Sequence, residues 1–112
     1  MTDRDLLALR VAEHLALDAV QSWSATHADV LALHAVVAVA RELCAAGFAP
    51  DEAGTVTAAA AVLRRCRMQR PGSIGATAED VAALRAVVVL IERQRSAVSA
   101  RDYARAVLAT NR

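Results

Sequence analysis

Apolar residues recur along this chain with a period near 3.6 rather than 2, in stretches separated by short polar breaks, and that spacing predicts helices. The breaks carry helix-start chemistry. A Ser or Thr is followed three residues later by an acid four times, as Thr2 with Asp5, Thr26 with Asp29, Thr77 with Asp80, and Ser99 with Asp102. In such a capping box the hydroxyl accepts from a first-turn N–H, and the carboxylate sits on the positive end of the helix dipole. Pro50-Asp51-Glu52 provides a fifth start, while Gly47 after Ala46 and Pro71-Gly72 after an Arg-rich run provide stops. The pattern therefore predicts helices over 3–23, 27–46, 51–69, 78–95 and 100–110. That is an all-α fold, a compact bundle of four longer helices plus a short C-terminal one. The loop RPGSIG, 70–75, is the one Gly/Pro-rich break, and no linker divides the chain, so 1–112 reads as a single helical domain.

At 100° per residue, Arg10, Glu13, His14, Asp18 and Gln21 gather into one polar stripe on the first helix, and its other faces carry Leu6, Leu9, Leu15, Val20 and Trp23. That apolar arc is wider than the ~100° a single surface helix needs, which implies a second partner surface. The second helix goes further, with only His34, Arg41 and Glu42 polar between Val30 and Ala46. Few arrangements of short helices in one chain surround such a helix, whereas a homodimer does so readily. Of the 112 positions, 28 are Ala, so backbones can approach closely while each side chain hides little surface. Dimerisation through the first two helices is expected, with Leu6, Leu9, Val20, Trp23 and His34 on the dimer or partner face.

Composition narrows the setting. Hydrophobic residues make up 56% of the chain, yet the longest apolar runs, near 30–40 and 81–91, are about half of the ~20 residues a bilayer needs, so no membrane span is expected. The N-terminal MTDRDLLALR places acids beside its first Arg and lacks a long apolar core, unlike a secretory signal. Cys44 and Cys66 show neither CxxC spacing nor further thiols, which excludes a disulfide framework and points to a reducing cytoplasm.

Charge is divided unevenly. Residues 1–56 hold 3 Arg against 8 acids, and residues 57–112 hold 10 Arg against 4 acids, within a formal net charge of +1 and with no Lys anywhere. Arg64, Arg65, Arg67 and Arg70 point in different directions around a helix and form a collar. Its two readings are a solvated surface favoured by the helix dipole, or a binding site for an acidic protein surface or phosphates. A nucleic-acid reading has an outline in its favour, because ARELCAAGFAPDEAGTV, 40–56, resembles a helix-turn-helix with Gly47 in the turn. Asp51 and Glu52 would then start the recognition helix, where carboxylates repel phosphates.

Chemistry-bearing residues are sparse. His14, His27, His34, Cys44 and Cys66 lack the short spacings that build zinc sites on helices, and no cofactor motif occurs. His14 with Asp18 forms an i, i+4 pair suited to a surface hydrogen bond. His34, interrupting an apolar helix, is expected to be a hydrogen-bonded core or interface histidine. The RPGSIG loop has the composition of an anion cradle but follows a helix rather than a strand. No metal, cofactor or catalytic residue is expected.

The runs AEHLALDAV (12–20), LALHAVVAVARELCAAGF (31–48), AAAAVLRRCRMQRPG (58–72) and ALRAVVVLIERQRSAVSARDYARAV (83–107) resemble small all-α proteins of Pseudomonas-type phages and prophages, loosely labelled Fis-family regulators. The chain differs from Fis-type regulators in having no basic recognition helix. The resemblance implies a mobile-element accessory protein. Together with the residues it leads to the expectation of a small non-enzymatic protein-binding regulator, of the anti-activator or inhibitor type, whose partners are a second copy and a host or regulatory protein. The alternative is a nucleic-acid-binding accessory or transcriptional regulator that uses the Arg-rich C-terminal half.

Overall fold

A computed structural model describes residues 2–48 and 54–111. Its helices are α1 (Asp3–Gln21), α2 (His27–Ala45), α3 (Thr55–Cys66), α4 (Ala78–Ala97) and α5 (Ala100–Ala109), and there is no strand among the described residues. None of these helices is long and apolar enough to cross a membrane.

All four hydroxyl caps form as the sequence suggests, but the carboxylate reaches back to the cap N–H only at α1 and α2. Thr2 and Thr26 each accept from the backbone N–H three residues on, and Asp5 and Asp29 reach back to the cap N–H, so α1 and α2 begin in full reciprocal boxes. Thr77 and Ser99 cap α4 and α5 through their hydroxyls. Asp80 does not complete the box at Thr77, because its carboxylate lies 2.8 Å from Arg65 and ties α4 to α3 instead. The start at Pro50-Asp51-Glu52 lies outside the described residues, and α3 is described from Thr55 behind Gly54 in the left-handed region (φ +71°).

Two stops share one geometry. After α2, Gly47 N–H donates to Cys44 C=O and Phe48 N–H to Leu43 C=O, with Gly47 at φ +92°, which is the double bond of a Schellman cap. After α1 the same pair of bonds runs from Trp23 to Val20 and from Ser24 to Ala19, with Trp23 in the left-handed position at φ +56°. That cap ends α1 at Gln21, two residues short of the expected boundary. An aromatic residue adopts this conformation at a cost, and Gly75 leaves room for its ring. A Cβ on Gly75 would fall 2.1 Å from the Trp23 ring, so the indole lies directly on the Gly75 backbone. The α3–α4 loop is drawn into this corner. Ala25 and Ile74 form an antiparallel bridge, Gly72 N–H donates to Ala25 C=O, and Gln69 exchanges two 2.9 Å hydrogen bonds with the Gly75 backbone. Gln69 thus belongs to a loop clasp rather than to α3, which ends at Cys66.

One contiguous core joins all five helices, and α2 packs against each of the other four. Val30, Leu33, Val37 and Ala40 face one way and Val36, Val39 and Leu43 another, all buried. The burial that seemed to call for a second copy around α2 is therefore met largely within the chain, because short α3 and α5 close over it. Fully buried Ala16, Ala40 and Ala59 permit this close approach. At the C-terminal end of α2, buried Gln94 of α4 donates through Nε2 to the carbonyls of Ala40 (3.2 Å) and Phe48 (3.1 Å), tying α4 to the last turns of α2 and the loop that follows.

Candidate functional site

A buried ion pair and a tyrosine hydroxyl join three helices. Glu13 of α1 accepts from both terminal nitrogens of Arg95 on α4, at 2.7 and 2.6 Å, and Arg95 Nε donates to the Tyr103 hydroxyl on α5 at 3.1 Å. Both charged side chains are almost wholly enclosed. Burial disfavours the Arg95 charge, but acceptance by Glu13 and by Tyr103 outweighs it and raises the Arg95 pKa, so the guanidinium stays ionised. This corrects the expected polar stripe on α1. Arg10, His14, Asp18 and Gln21 are exposed, whereas Glu13 is in the core. The signal was present in the spacing, since Glu13 shares a face with Leu6, Leu9, Ala16, Leu17 and Val20.

Above this triad lies a groove of about 530 Å³ between the start of α1 and α5. Leu6, Val98, Ala104, Val107 and Leu108 supply apolar walls, Arg95 and Tyr103 the floor, and Asp3 a charged rim. Leu108 stands at its lip, 70% exposed. The groove suits an apolar side chain, because its walls are apolar and the fork of Arg95 is already spent on Glu13 and Tyr103.

The residues expected on a partner face separate. Leu6 and Leu9 are half-buried, Leu6 lining the groove. Val20 is fully buried core and faces no partner, a correction that follows from α1 packing on both α2 and α4. Trp23 is half-exposed in its corner against Gly75. His34 is exposed rather than in the core, and Arg67 donates to its Nδ1 at 2.8 Å. Partial desolvation, then the charges of Arg67 and Arg41, lower the His34 pKa and keep the ring a neutral acceptor. Missed by the sequence reading were Leu7 and Val11, which stand with Leu15 on the outer face of α1, all exposed.

The Arg collar is likewise divided. Arg65 pairs with Asp80 and Arg67 with His34, while Arg64 and Arg70 are exposed with no side-chain partner among the described residues. The arginines of α3 lie in its last turn, away from the end that a recognition helix presents to DNA. The RPGSIG loop is no anion cradle. The N–H groups of Gly72, Ser73, Ile74 and Gly75 donate to Ala25, Arg70, Ala25 and Gln69. Cys66 is buried with its thiol pKa pushed up, first by burial and then by Asp80, which disfavours a thiolate. Among the described residues no cluster of three His, Cys, Asp or Glu is placed to hold a metal ion.

No family model, no curated protein and no solved structure matches this chain.

Proposed function

We propose that the protein is a small non-catalytic protein-binding regulator, of the inhibitor or anti-activator type, that acts as a homodimer in the cytoplasm as a mobile-element accessory protein. The observation that carries the reading is the division of labour among its side chains. Glu13, Arg95, Tyr103 and Cys66 are engaged inside the fold and His34 is engaged by Arg67 at the surface, while large apolar side chains stand out in solvent, Leu108 at the lip of the α1–α5 groove among them. Apolar groups exposed beside a concave surface are what a partner protein buries. Arg64 and Arg70, without side-chain partners among the described residues, add positive charge suited to an acidic partner. The buried Cys66 thiol suits a reducing compartment, and the resemblance to phage and prophage proteins supplies the context.

The test is capture of partners by the tagged chain from lysate of its own host, with and without nuclease. A stoichiometric protein that survives nuclease and is lost with Leu108→Arg supports the reading, provided circular dichroism shows the variant folded. Material lost with nuclease and with the joint Arg64→Ala and Arg70→Ala substitution, but indifferent to Leu108→Arg, favours the nucleic-acid alternative.

A further inference from the structure

The outer face of α1 carries charges that its own helix does not accommodate. Leu7, Val11 and Leu15 are three of the eight large apolar residues exposed among the described residues, and they stand at successive turns of one helix, at 61%, 50% and 61% exposure. The others are scattered, with Leu31 on α2, Val89 on α4 and Leu108 on α5. Arg4 and Asp18 bracket the stripe, both exposed, and at 100° per residue all five positions fall within an arc of about 80°. Arg4 lies in the first turn of α1, at the positive end of the dipole, and Asp18 in the last turn, at the negative end. Each is on the wrong end for its helix, and neither has a side-chain partner among the described residues. Arg10 and His14, at the edge of the face, are already matched by Glu92 of α4, at 3.7 and 2.9 Å, and Gln21 accepts from Arg85 at 3.4 Å.

We infer that this face binds a second copy of the chain, α1 against α1 in antiparallel orientation, with the two-fold axis at Val11. The inference rests on the self-association part of the proposed function and names its surface. In that register Val11 meets the partner's Val11, Leu7 meets the partner's Leu15, and Arg4 meets the partner's Asp18. Every position is satisfied twice by one symmetry operation. Antiparallel pairing also sets each misplaced charge beside the favourable dipole end of the other helix. The depression of about 300 Å³ lined by Leu7, Val11 and Leu15 accepts the facing ridge, and exposed Ala8 and Ala12, on the opposite flank of the stripe, are small enough to let the helices approach. A partner of different sequence would bury the apolar stripe equally well, but the order of charges, Arg4 before it and Asp18 after it, is complementary to its own reversal.

Sedimentation equilibrium of the full chain in low salt tests this, with Arg4→Asp, Asp18→Arg, the double swap and Val11→Glu. The expected result is a dimer that each single charge change weakens roughly tenfold, by setting like charges opposite one another. The double swap restores it to within about threefold, and Val11→Glu makes it monomeric. Both single changes improve the match to the dipole of α1, so loss of dimer cannot be ascribed to loss of the helix, which circular dichroism checks independently. A dimer indifferent to Arg4→Asp and Asp18→Arg, or not rescued by the double swap, overturns the register while leaving self-association standing. A chain that stays monomeric at millimolar concentration overturns both and leaves partner binding untouched.

Discussion

Glu13 and Arg95 are 82 positions apart in the chain and form its best-enclosed ion pair among the described residues. Such a pair is weak support for net stability, because desolvating two charges costs about as much as their attraction returns. It is nonetheless expensive to break. Arg95→Ala leaves the Glu13 carboxylate buried without a counter-charge and removes the donor to Tyr103, and is expected to lower unfolding stability by about 3–5 kcal/mol in urea titrations. Pairing Glu13→Leu with Arg95→Met fills the site with apolar atoms of similar volume and should recover most of that loss. If Arg95→Ala proves nearly silent, water reaches Glu13 and the pair is not the structural tie between α1, α4 and α5. The residue scale also explains why His34 looked like a core residue. Its neighbours on α2 are apolar almost all round, but exposed Leu31 and Ala35 show that this helix keeps one strip in solvent, and Arg67 from α3 meets His34 there.

At the scale of elements, the chain relies on its caps. Hydroxyl caps open α1, α2, α4 and α5, each worth about 1 kcal/mol, and Schellman bonds close α1 and α2. Helix starts were legible in the sequence because capping is local, a matter of residues three apart. The end of α1 was not legible. Nothing local identifies Trp23 as a left-handed cap, and the room for its ring is left by Gly75, from the loop between α3 and α4. Gly75→Ala puts a methyl where the indole lies, so the ring must leave or the loop must shift. A destabilisation of about 1–3 kcal/mol is expected. It should be accompanied by a change in the emission of the chain's one tryptophan. An unchanged spectrum and midpoint would mean that the two loops are not clasped at this corner.

On the scale of the whole molecule, the Cα radius of gyration of 13.4 Å matches the ~13 Å of a compact domain of this length, so the chain closes on itself around α2 without help. Amide exchange should follow that arrangement. The α2 amides from Val30 to Leu43, covered by four helices, are expected to exchange only through global unfolding, and those of α5 through a smaller local opening. Equal protection of α5 and α2 would place the Tyr103 contact in the same cooperative unit as the core. The same arrangement leaves Leu7, Val11 and Leu15 on the outer face of α1 in solvent.

Periodicity and caps, interactions within one or two helical turns, were enough to define an all-helical chain with its helices in order and most boundaries near their places. They also marked out the absence of a helix long and apolar enough to cross a membrane among the described residues. What periodicity could not resolve was rotation. α1 carries apolar residues on two sides, Leu6, Leu9, Leu17 and Val20 on one and Leu7, Val11 and Leu15 on the other, and the choice of which enters the core belongs to the neighbours. Arg95, arriving from α4, makes the side bearing Glu13 the buried one. Tertiary packing thereby turned the opposite side, with Arg4 and Asp18, out to solvent, because a buried carboxylate needs a counter-charge that only a distant part of the chain supplies.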